Sequence, residues 1–185
     1  MSARRPLLAL LRAHAALPLD AHEASMAAAI IAFVEANPRC AERSLAEGHL
    51  TGSAWIVDAA RRRALLTHHR KLGLWLQLGG HADGGLDLRE VAWREAREES
   101  GLAGVRPLGT GIFDVDRHRI PARKDESEHW HYDVRFLFEA DADEPLVVSG
   151  ESRELAWVPL GEIAARNPEE SLARMVRKTQ ARFGA

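Results

Sequence analysis

The sequence has little cysteine and no long apolar run. Cys40 is the only cysteine among 185 residues, so no disulfide can form within the chain, and such usage is typical of a reducing compartment. No apolar run reaches the roughly 20 residues that a membrane-spanning helix needs. The apolar stretch 7–11 is short and is followed by Arg12 and His14, which argues against a signal peptide. We therefore expect a cytoplasmic protein without a membrane partner.

An excess of charge of either sign is also missing. The formal net charge is −2, and the composition of 46% hydrophobic and 28% charged residues is that of an ordinary globular protein. Such a balance gives no basis for nucleic-acid binding through bulk electrostatics. A small-molecule partner is the expectation that remains.

The first 45 residues have a helical pattern of their own. Residues 4–16 are rich in Leu, Ala and Arg and predict a short amphipathic helix. A second helix follows Pro18, with Asp20 as its cap and Glu23 completing a capping box, and it ends before Pro38. We predict a helical extension over 1–45 and a main domain over 46–185. The extension is expected to serve as a lid or as a homodimer contact, because its apolar stripe must be buried somewhere.

The periodicity changes to that of strands near residue 49. Extended segments are predicted over 50–58, 64–70, 74–78, 105–120, 129–140 and 153–160, with a closing helix over 169–183. Strands that alternate with helices in this order indicate an α/β layered domain. The polar segment 119–129 is predicted to be a loop between two strands.

Acidic residues cluster on a helix predicted over 88–100. Asp87 caps this helix, with Glu90 in the third position, and Gly101 ends it. Glu95 and Glu99 share one face, since they lie four residues apart, and Glu98 lies at its margin. Like charges at this spacing repel by about 0.2–0.5 kcal/mol per pair. A bound Mg²⁺ or Mn²⁺ would remove that repulsion, because both ions prefer carboxylate oxygens.

The alternative is a solvated helix face in which Arg94 and Arg97 pair with the glutamates. The glycine-rich loop in front of the helix favours a ligand site, since glycines allow a backbone to approach a ligand closely.

The stretch from residue 80 to residue 102 resembles the Nudix box, G-x5-E-x7-R-E-U-x-E-E-x-G-U, where U is a bulky aliphatic residue. The matching positions are Gly80, Arg94, Glu95, Glu98, Glu99, Gly101 and Leu102. Leu86 replaces the first glutamate, and Ala96 replaces the larger aliphatic residue. The resemblance covers about residues 48–185 and implies a Nudix-type α/β/α sandwich with a mixed β-sheet, to which the N-terminal helices are added.

The resemblance also implies an activity and a set of site residues. It implies Mg²⁺-dependent (or Mn²⁺-dependent) hydrolysis of the diphosphate linkage of a nucleoside diphosphate derivative, with water attacking phosphorus. The metal ligands would be the Gly80 carbonyl and the carboxylates of Glu95, Glu98 and Glu99. Glu98 and Glu99 would also be catalytic, and Arg94 would orient the carboxylates.

Two further expectations concern the substrate side of this site. A loop carboxylate often completes such a site as metal ligand or general base, and Glu151 is the first candidate for it, with Glu154 the second. An exposed loop charge is the simpler interpretation of both. The 119–129 loop favours a nucleotide sugar as substrate, because a loop of that length would cover an extended ligand.

Histidines form a second candidate set. His129 and His131 alternate on a predicted strand and share a face with Asp133. This pattern suits a metal ligand set or a set that contacts substrate, or simply the polar face of an antiparallel strand. His81 follows two glycines, at a position suited to phosphate contact. We assign His81, His129 and His131 as substrate-binding candidates.

Two competing functions remain open. The loss of a glutamate at Leu86 is consistent with a catalytically silent nucleotide-binding sensor, unless Asp83 or Asp87 substitutes for it. An isoprenoid-diphosphate isomerase would share the fold but needs a cysteine within the domain, whereas Cys40 lies in the helical extension.

Overall fold

A computed structural model describes residues 3–122 and 127–184 of the chain. In this part the helices are α1 (Arg5–Ala15), α2 (Ala21–Ala36), α3 (Leu88–Ser100), α4 (Ile163–Arg166) and α5 (Glu170–Phe183). The strands are β1 (Gly48–Asp58), β2 (Arg63–His69), β3 (Trp75–Leu76), β4 (Leu78–His81), β5 (Arg106–Pro107), β6 (Asp114–Ile120), β7 (His129–Ala140) and β8 (Ser152–Pro159). A 3₁₀ turn, Leu160–Glu162, precedes α4.

The strands form one sheet, as expected for a mixed α/β domain. The main path runs β3-β2-β1-β7-β5, while β4 pairs with β1, β6 with β7 and β8 with β2. Helices precede, interrupt and follow the strands in the chain, and α1 and α2 are the additional N-terminal helices. No helix in the described ranges combines the length and the apolar composition that a bilayer crossing requires.

Contacts between residues divide the chain into two compact units. The first unit comprises Met1–Ser53, Gly80–Val91 and Thr110–Phe136, and the second comprises Ala54–Gly79, Ala92–Gly109 and Leu137–Ala185. The boundary expected between residues 45 and 46 stays a prediction.

The N-terminal helices belong to the first unit and begin as predicted. Asp20 caps α2 by accepting a 2.8 Å hydrogen bond from the Glu23 amide. The Glu23 carboxylate, however, lies 2.9 Å from Nε2 of His14 on α1, and both side chains are buried. This pair joins α1 to α2. The Phe33 ring of α2 stacks on Tyr132 of β7, with ring centroids 3.8 Å apart.

A buried ion network also lies in the first unit. The Arg135 guanidinium binds carboxylates on two neighbouring strands: Asp133 at 2.7 Å, Asp114 at 3.1 Å and Asp116 at 3.3 Å. Asp133 also accepts hydrogen bonds from Thr51 at 2.8 Å and from Ser53 at 2.7 Å. These charges raise the pKa of Arg135, against the effect of burial, so the residue is a permanent cation in the core.

The second unit is organised around the β2–β8 pair, whose register places Leu65 opposite Trp157. Trp55 Nε1 donates a 2.9 Å hydrogen bond to Thr179 on α5, so the indole N–H is satisfied although the ring is fully buried. Gly101 ends α3 with φ +73°, and a Cβ there would lie 2.6 Å from Val147. The glycine at this position of the sequence motif is therefore required by both conformation and space.

Two strand predictions need correction. Residues 105–120 were expected to form one strand, but β5 and β6 are separate. Pro107 has no amide hydrogen to donate to a strand ladder, and Gly109 adopts φ +116°. The strand pairing is therefore interrupted between β5 and β6. Residues 74–78 likewise divide into β3 and β4. Within the predicted 119–129 loop, β6 extends to Ile120 and β7 begins at His129, and residues 123–126 lie outside the described ranges.

Candidate functional site

Carboxylates of the second unit converge where α3 presents Glu95 and Glu99. Glu99 is 7% exposed and Glu95 is half-buried, whereas Glu98 on the next position is exposed. The helix begins at the predicted cap, since Asp87 accepts a 3.2 Å hydrogen bond from the Glu90 amide. The spacing of four residues thus places two partly desolvated carboxylates on one helix face.

The pKa values of Glu95 and Glu99 are raised by their surroundings. Burial, reinforced by the negative charges of Glu95 and Glu151, raises the pKa of Glu99 to about 8. A hydrogen bond from the Gly79 amide opposes this rise. Burial also raises the pKa of Glu95, and the charges of Glu98 and Glu151 act in the same direction while Arg94 opposes them. The site therefore carries more negative charge than its few cations neutralise.

Arg94 is the cation that holds two of these carboxylates. Its guanidinium lies 2.8 Å from Glu95 Oε1 and 3.1 Å from Glu98 Oε2. The arginine that was expected to orient the carboxylates is thus in contact with both of them. The alternative, a helix face of simple ion pairs, accounts for Glu98 but not for the burial of Glu99.

Glu151 joins this group, although it lies 52 positions after Glu99 in the chain. Its side chain is exposed, and its charge affects both Glu95 and Glu99. The Glu151 carbonyl accepts a 2.8 Å hydrogen bond from the Arg70 amide, which fixes the loop before β8. Glu154, the second candidate, is exposed on β8 opposite His68.

The donor set suits a hard divalent cation. Glu99 Oε2 is buried and has no hydrogen-bond partner among residues 3–122 and 127–184. A buried carboxylate oxygen without a partner is costly, and a cation that prefers oxygen would satisfy it. Glu95, Glu98, Glu99 and Glu151 therefore fit Mg²⁺ or Mn²⁺. Gly80 lies on β4 in the first unit, and its role as a carbonyl ligand stays a prediction.

The loop before α3 contains the position at which the motif departs from its pattern. Leu86 is half-buried, and Asp83 and Asp87 are exposed. Asp87 is engaged as the α3 cap, and Asp83 lies in a turn with φ +45°. Neither aspartate is held in the manner of an oriented ligand, so the loop offers no evident replacement for the missing glutamate.

The predicted histidines meet in the first unit. The Nε2 atoms of His129 and His131 lie 3.3 Å apart, and the His81 ring centroid lies 5.1 Å from that of His131. Asp133, which shares their strand face in the sequence pattern, binds Arg135, Thr51 and Ser53. The histidines and the aspartate of the HxHxD pattern thus have different contacts, because Arg135, a buried cation two residues along the same strand face, binds Asp133.

Two histidines of this cluster were missed at the sequence level. The ring of His49 on β1 lies 4.9 Å from that of His129 and 4.8 Å from that of His131. His118 on β6 is the register partner of His131, with ring centroids 5.4 Å apart. The β6–β7 hairpin pattern was a usable signal for His118. No local pattern indicated His49, which reaches the cluster only through the fold.

A cavity of about 510 Å³ in the first unit borders this cluster at one histidine. It is lined by Ala46, Glu47, Arg119, Glu128, His129 and Trp130. Cys40, in the same unit, is buried, and burial raises the pKa of its thiol. A raised pKa disfavours the thiolate that a catalytic cysteine needs, which argues against the isomerase alternative.

Comparison with known proteins gives a consistent result. The family model for the NUDIX domain matches residues 49–179. The Mycobacterium tuberculosis protein named "Putative mutator protein MutT4" is 34% identical over 93 residues, which are 50% of this chain and 36% of that relative. The match thus spans little more than a third of the relative's length.

Solved structures share the fold. An Ap4A hydrolase of C. elegans, in a binary complex, superposes with a TM-score of 0.57 at 16% identity, covering 73% of this chain and 97% of that one. A NUDIX-family hydrolase from Clostridium perfringens gives a TM-score of 0.55 at 23% identity, covering 72% and 97% respectively. At these identities the likeness shows the fold alone, and it confirms the predicted Nudix-type α/β/α sandwich with a mixed β-sheet.

Proposed function

Because the chain belongs to the Nudix family, we propose that it is a hydrolase of phosphoric anhydrides, acting on a nucleoside diphosphate derivative. The observation that carries this proposal is the state of Glu99. One oxygen of its buried carboxylate lacks a partner within the described ranges, and the group lies among the charges of Glu95 and Glu151. Such an arrangement is unfavourable without a cation and suits one that binds diphosphate.

Glu95, Glu98 and Glu99 would hold the metal, together with the Gly80 carbonyl. When bound, Mg²⁺ or Mn²⁺ supplies charge neutralisation of the diphosphate and of the oxygens that attack and leave. Arg94 keeps Glu95 and Glu98 oriented through its two contacts, so that the carboxylates need no reorganisation when the ion arrives.

Glu151 is the proposed general base. Its carboxylate is exposed and so accessible to water, and its charge already acts on Glu95 and Glu99. A base in this position would take a proton from the water that attacks phosphorus. Glu98 is exposed on α3, the helix of Glu95 and Glu99, so it can contact both the metal and a water molecule.

We propose further that the substrate is a nucleotide sugar and that His81 contacts its phosphates. The choice of a nucleotide sugar is supported by the length of the 119–129 segment, since a segment of that length between two strands would cover an extended ligand.

The test is phosphate release, with Mg²⁺ and a coupled phosphatase, across nucleoside triphosphates, nucleotide sugars, dinucleotides and ADP-ribose. Glu98→Gln and Glu90→Gln are compared with wild type. Both residues are exposed on α3, but only Glu98 lies in the carboxylate cluster. We expect one preferred compound, a loss of at least about 100-fold in kcat for Glu98→Gln, and near wild-type activity for Glu90→Gln.

Two outcomes would overturn the proposal. Equal loss of activity in Glu98→Gln and Glu90→Gln would show that Glu98 has no specific role in catalysis. If a protein that still binds Mg²⁺ hydrolyses no compound of the panel, the nucleotide-binding sensor is favoured. The absence of a glutamate at position 86 would then explain the lack of catalysis.

A further inference from the structure

Three imidazoles in the first unit bring ring nitrogens close together. They belong to His49 on β1 and to His129 and His131 on β7, and one ring nitrogen from each lies within 4.8 Å of the others. His49 and His129 are buried and His131 is half-buried. The donors are nitrogens on paired strands, so this set is chemically unlike the carboxylates of α3.

The tautomer of His129 can be assigned from its contacts. Its Nδ1 lies 2.8 Å from the Ser127 carbonyl oxygen. A carbonyl only accepts, so Nδ1 carries a proton, and Nε2 is the nitrogen that faces His131. Metal-binding histidines commonly donate a hydrogen bond from the N–H of their second nitrogen to a carbonyl in this way, which fixes the ring orientation.

The spacing of two of the nitrogens agrees with shared coordination, and the set of three, which spans up to 4.8 Å, would close further around an ion. The Nε2 atoms of His129 and His131 are 3.3 Å apart. Two ligands of a tetrahedral Zn²⁺ with Zn–N distances of ~2.0–2.1 Å are separated by about 3.3–3.4 Å. A direct hydrogen bond from His131 to His129 would suit the same spacing, but it would leave His49 unexplained.

His49 is the second, independent indication of a ligand. It is 1% exposed, and neither of its ring nitrogens has a hydrogen-bond partner in the part of the chain that the structure describes. Buried polar atoms of native proteins rarely remain unsatisfied. An ion among the three rings would satisfy His49 at the point where its neighbours already present their nitrogens.

We propose that His49, His129 and His131 bind one divalent transition-metal ion of the zinc type. A donor set made only of imidazoles favours Zn²⁺ and similar ions over Mg²⁺, which prefers oxygen. Three protein ligands leave the fourth position to water or a ligand oxygen. His129 also lines the cavity of about 510 Å³. The site does not depend on the proposed hydrolase function.

The experiment measures zinc bound to the full-length protein. The protein is stripped with chelator, incubated with micromolar Zn²⁺ in excess Mg²⁺, desalted and analysed for metal content. We expect about one Zn²⁺ per chain for wild type and at least a tenfold lower content for His49→Gln and His131→Gln. His68→Gln, with a half-buried ring on β2 in the second unit, is the matched control and should retain zinc.

Glu98→Gln distinguishes this site from the carboxylate site. It should retain zinc while losing Mg²⁺-dependent hydrolysis. Zinc lost in Glu98→Gln but kept in both histidine variants would assign zinc to the carboxylates and overturn the proposal. Failure of wild type to retain zinc would also overturn it, whatever the result of the hydrolysis assay.

His131→Cys keeps the test decisive if the Gln variants do not fold. A thiolate at this position would remain a metal ligand, and bound Co²⁺ would then show a sulfur-to-cobalt charge-transfer band that is absent from wild type. A folded His131→Cys protein that binds Co²⁺ without this band would exclude residue 131 from the metal site. Appearance of the band would place residue 131 directly on the metal.

Discussion

Glu95 and Glu99 lie one helical turn apart on α3, and each is removed far enough from water that its pKa is raised. Their mutual repulsion adds to the effect of burial on Glu99. A protein gains no stability from such a pair, so the arrangement reflects what the pair binds. The same relationship has consequences for stability that can be measured without a substrate.

The stability of the metal-free protein should fall as pH rises from about 4.5 to about 8. The folded-state pKa of Glu99, about 8, exceeds the ordinary value of 4.5, so the folded state retains a proton that the unfolded state has released. The stabilisation present below pH 4.5 is therefore lost as pH rises through the folded-state pKa. We expect a loss of about 2–4 kcal/mol from this group.

Glu99→Gln isolates that contribution, because the amide does not titrate. Urea unfolding in EDTA at pH 6 and pH 8 should show a smaller decrease for the variant than for wild type. Added Mg²⁺ should stabilise wild type more at pH 8 than at pH 6, since it binds the deprotonated carboxylates. Parallel pH dependences of the two proteins would contradict the assigned state of Glu99.

The carboxylate site could be predicted because its residues are local in sequence. The separation of four between Glu95 and Glu99 fixes their common face on any helix, and Gly101 marks where that helix ends. Glu151 was a candidate because of its place before β8, which is a weaker signal. The burial of Glu99 was not predictable, because it depends on packing that no spacing encodes.

The histidine site shows the opposite case. His129 and His131 were visible as alternate residues of one strand, but His49 lies 80 positions before His129 and joins them only through the sheet. The partners of Asp133 could not be predicted, because strand alternation places residues on a common face without indicating which of them will contact each other. Arg135, two residues on, is the neighbour that binds it.

Leu86→Glu should raise kcat of the hydrolase by about tenfold, a typical effect of residues that support metal ligands from outside the first coordination shell. The reason is that Leu86 stands at the first glutamate of the Nudix box, and the aspartates beside it are exposed or engaged in capping. The measurement is steady-state turnover of the compound identified by the panel.

Leu86→Gln is the control for this change, because it has the size of glutamate without the charge. An equal gain in both variants would attribute the effect to loop packing. No change in either would mean that the carboxylate is dispensable here, or that Asp83 or Asp87 already supplies it.

Arg135→Met should destabilise the fold by about 3–5 kcal/mol, the usual cost of removing one partner from a buried ion pair. Three carboxylates contact this guanidinium, and Asp114 and Asp133 are almost wholly buried. Urea unfolding measures the change. Arg119→Met, which removes an exposed partner of Glu128, should cost no more than about 1 kcal/mol.

A pH readout separates lost charge from lost packing. Without Arg135, the buried aspartates must protonate or repel, so the difference in stability between variant and wild type should shrink as pH falls below neutrality. A difference that stays constant with pH would mean that the arginine acts through its volume alone.

Phe33 tests whether the N-terminal helices are a removable lid or part of the core. Its ring is 7% exposed and stacks on Tyr132 with an interplanar angle of 8°. Phe33→Ala should destabilise the protein by about 3–5 kcal/mol, as expected for truncating a buried aromatic ring. A double-mutant cycle with Tyr132→Leu should show a coupling of about 0.5–1.5 kcal/mol.

The same variant addresses the lid and dimer roles expected of the helical extension. If α2 serves only as support, folded Phe33→Ala should keep wild-type KM and the same mass in light scattering. A raised KM at unchanged mass would indicate a lid, because only substrate retention is impaired. A halved mass would indicate that α2 contributes to a dimer contact, since loosening the helix from Tyr132 would then weaken association between chains.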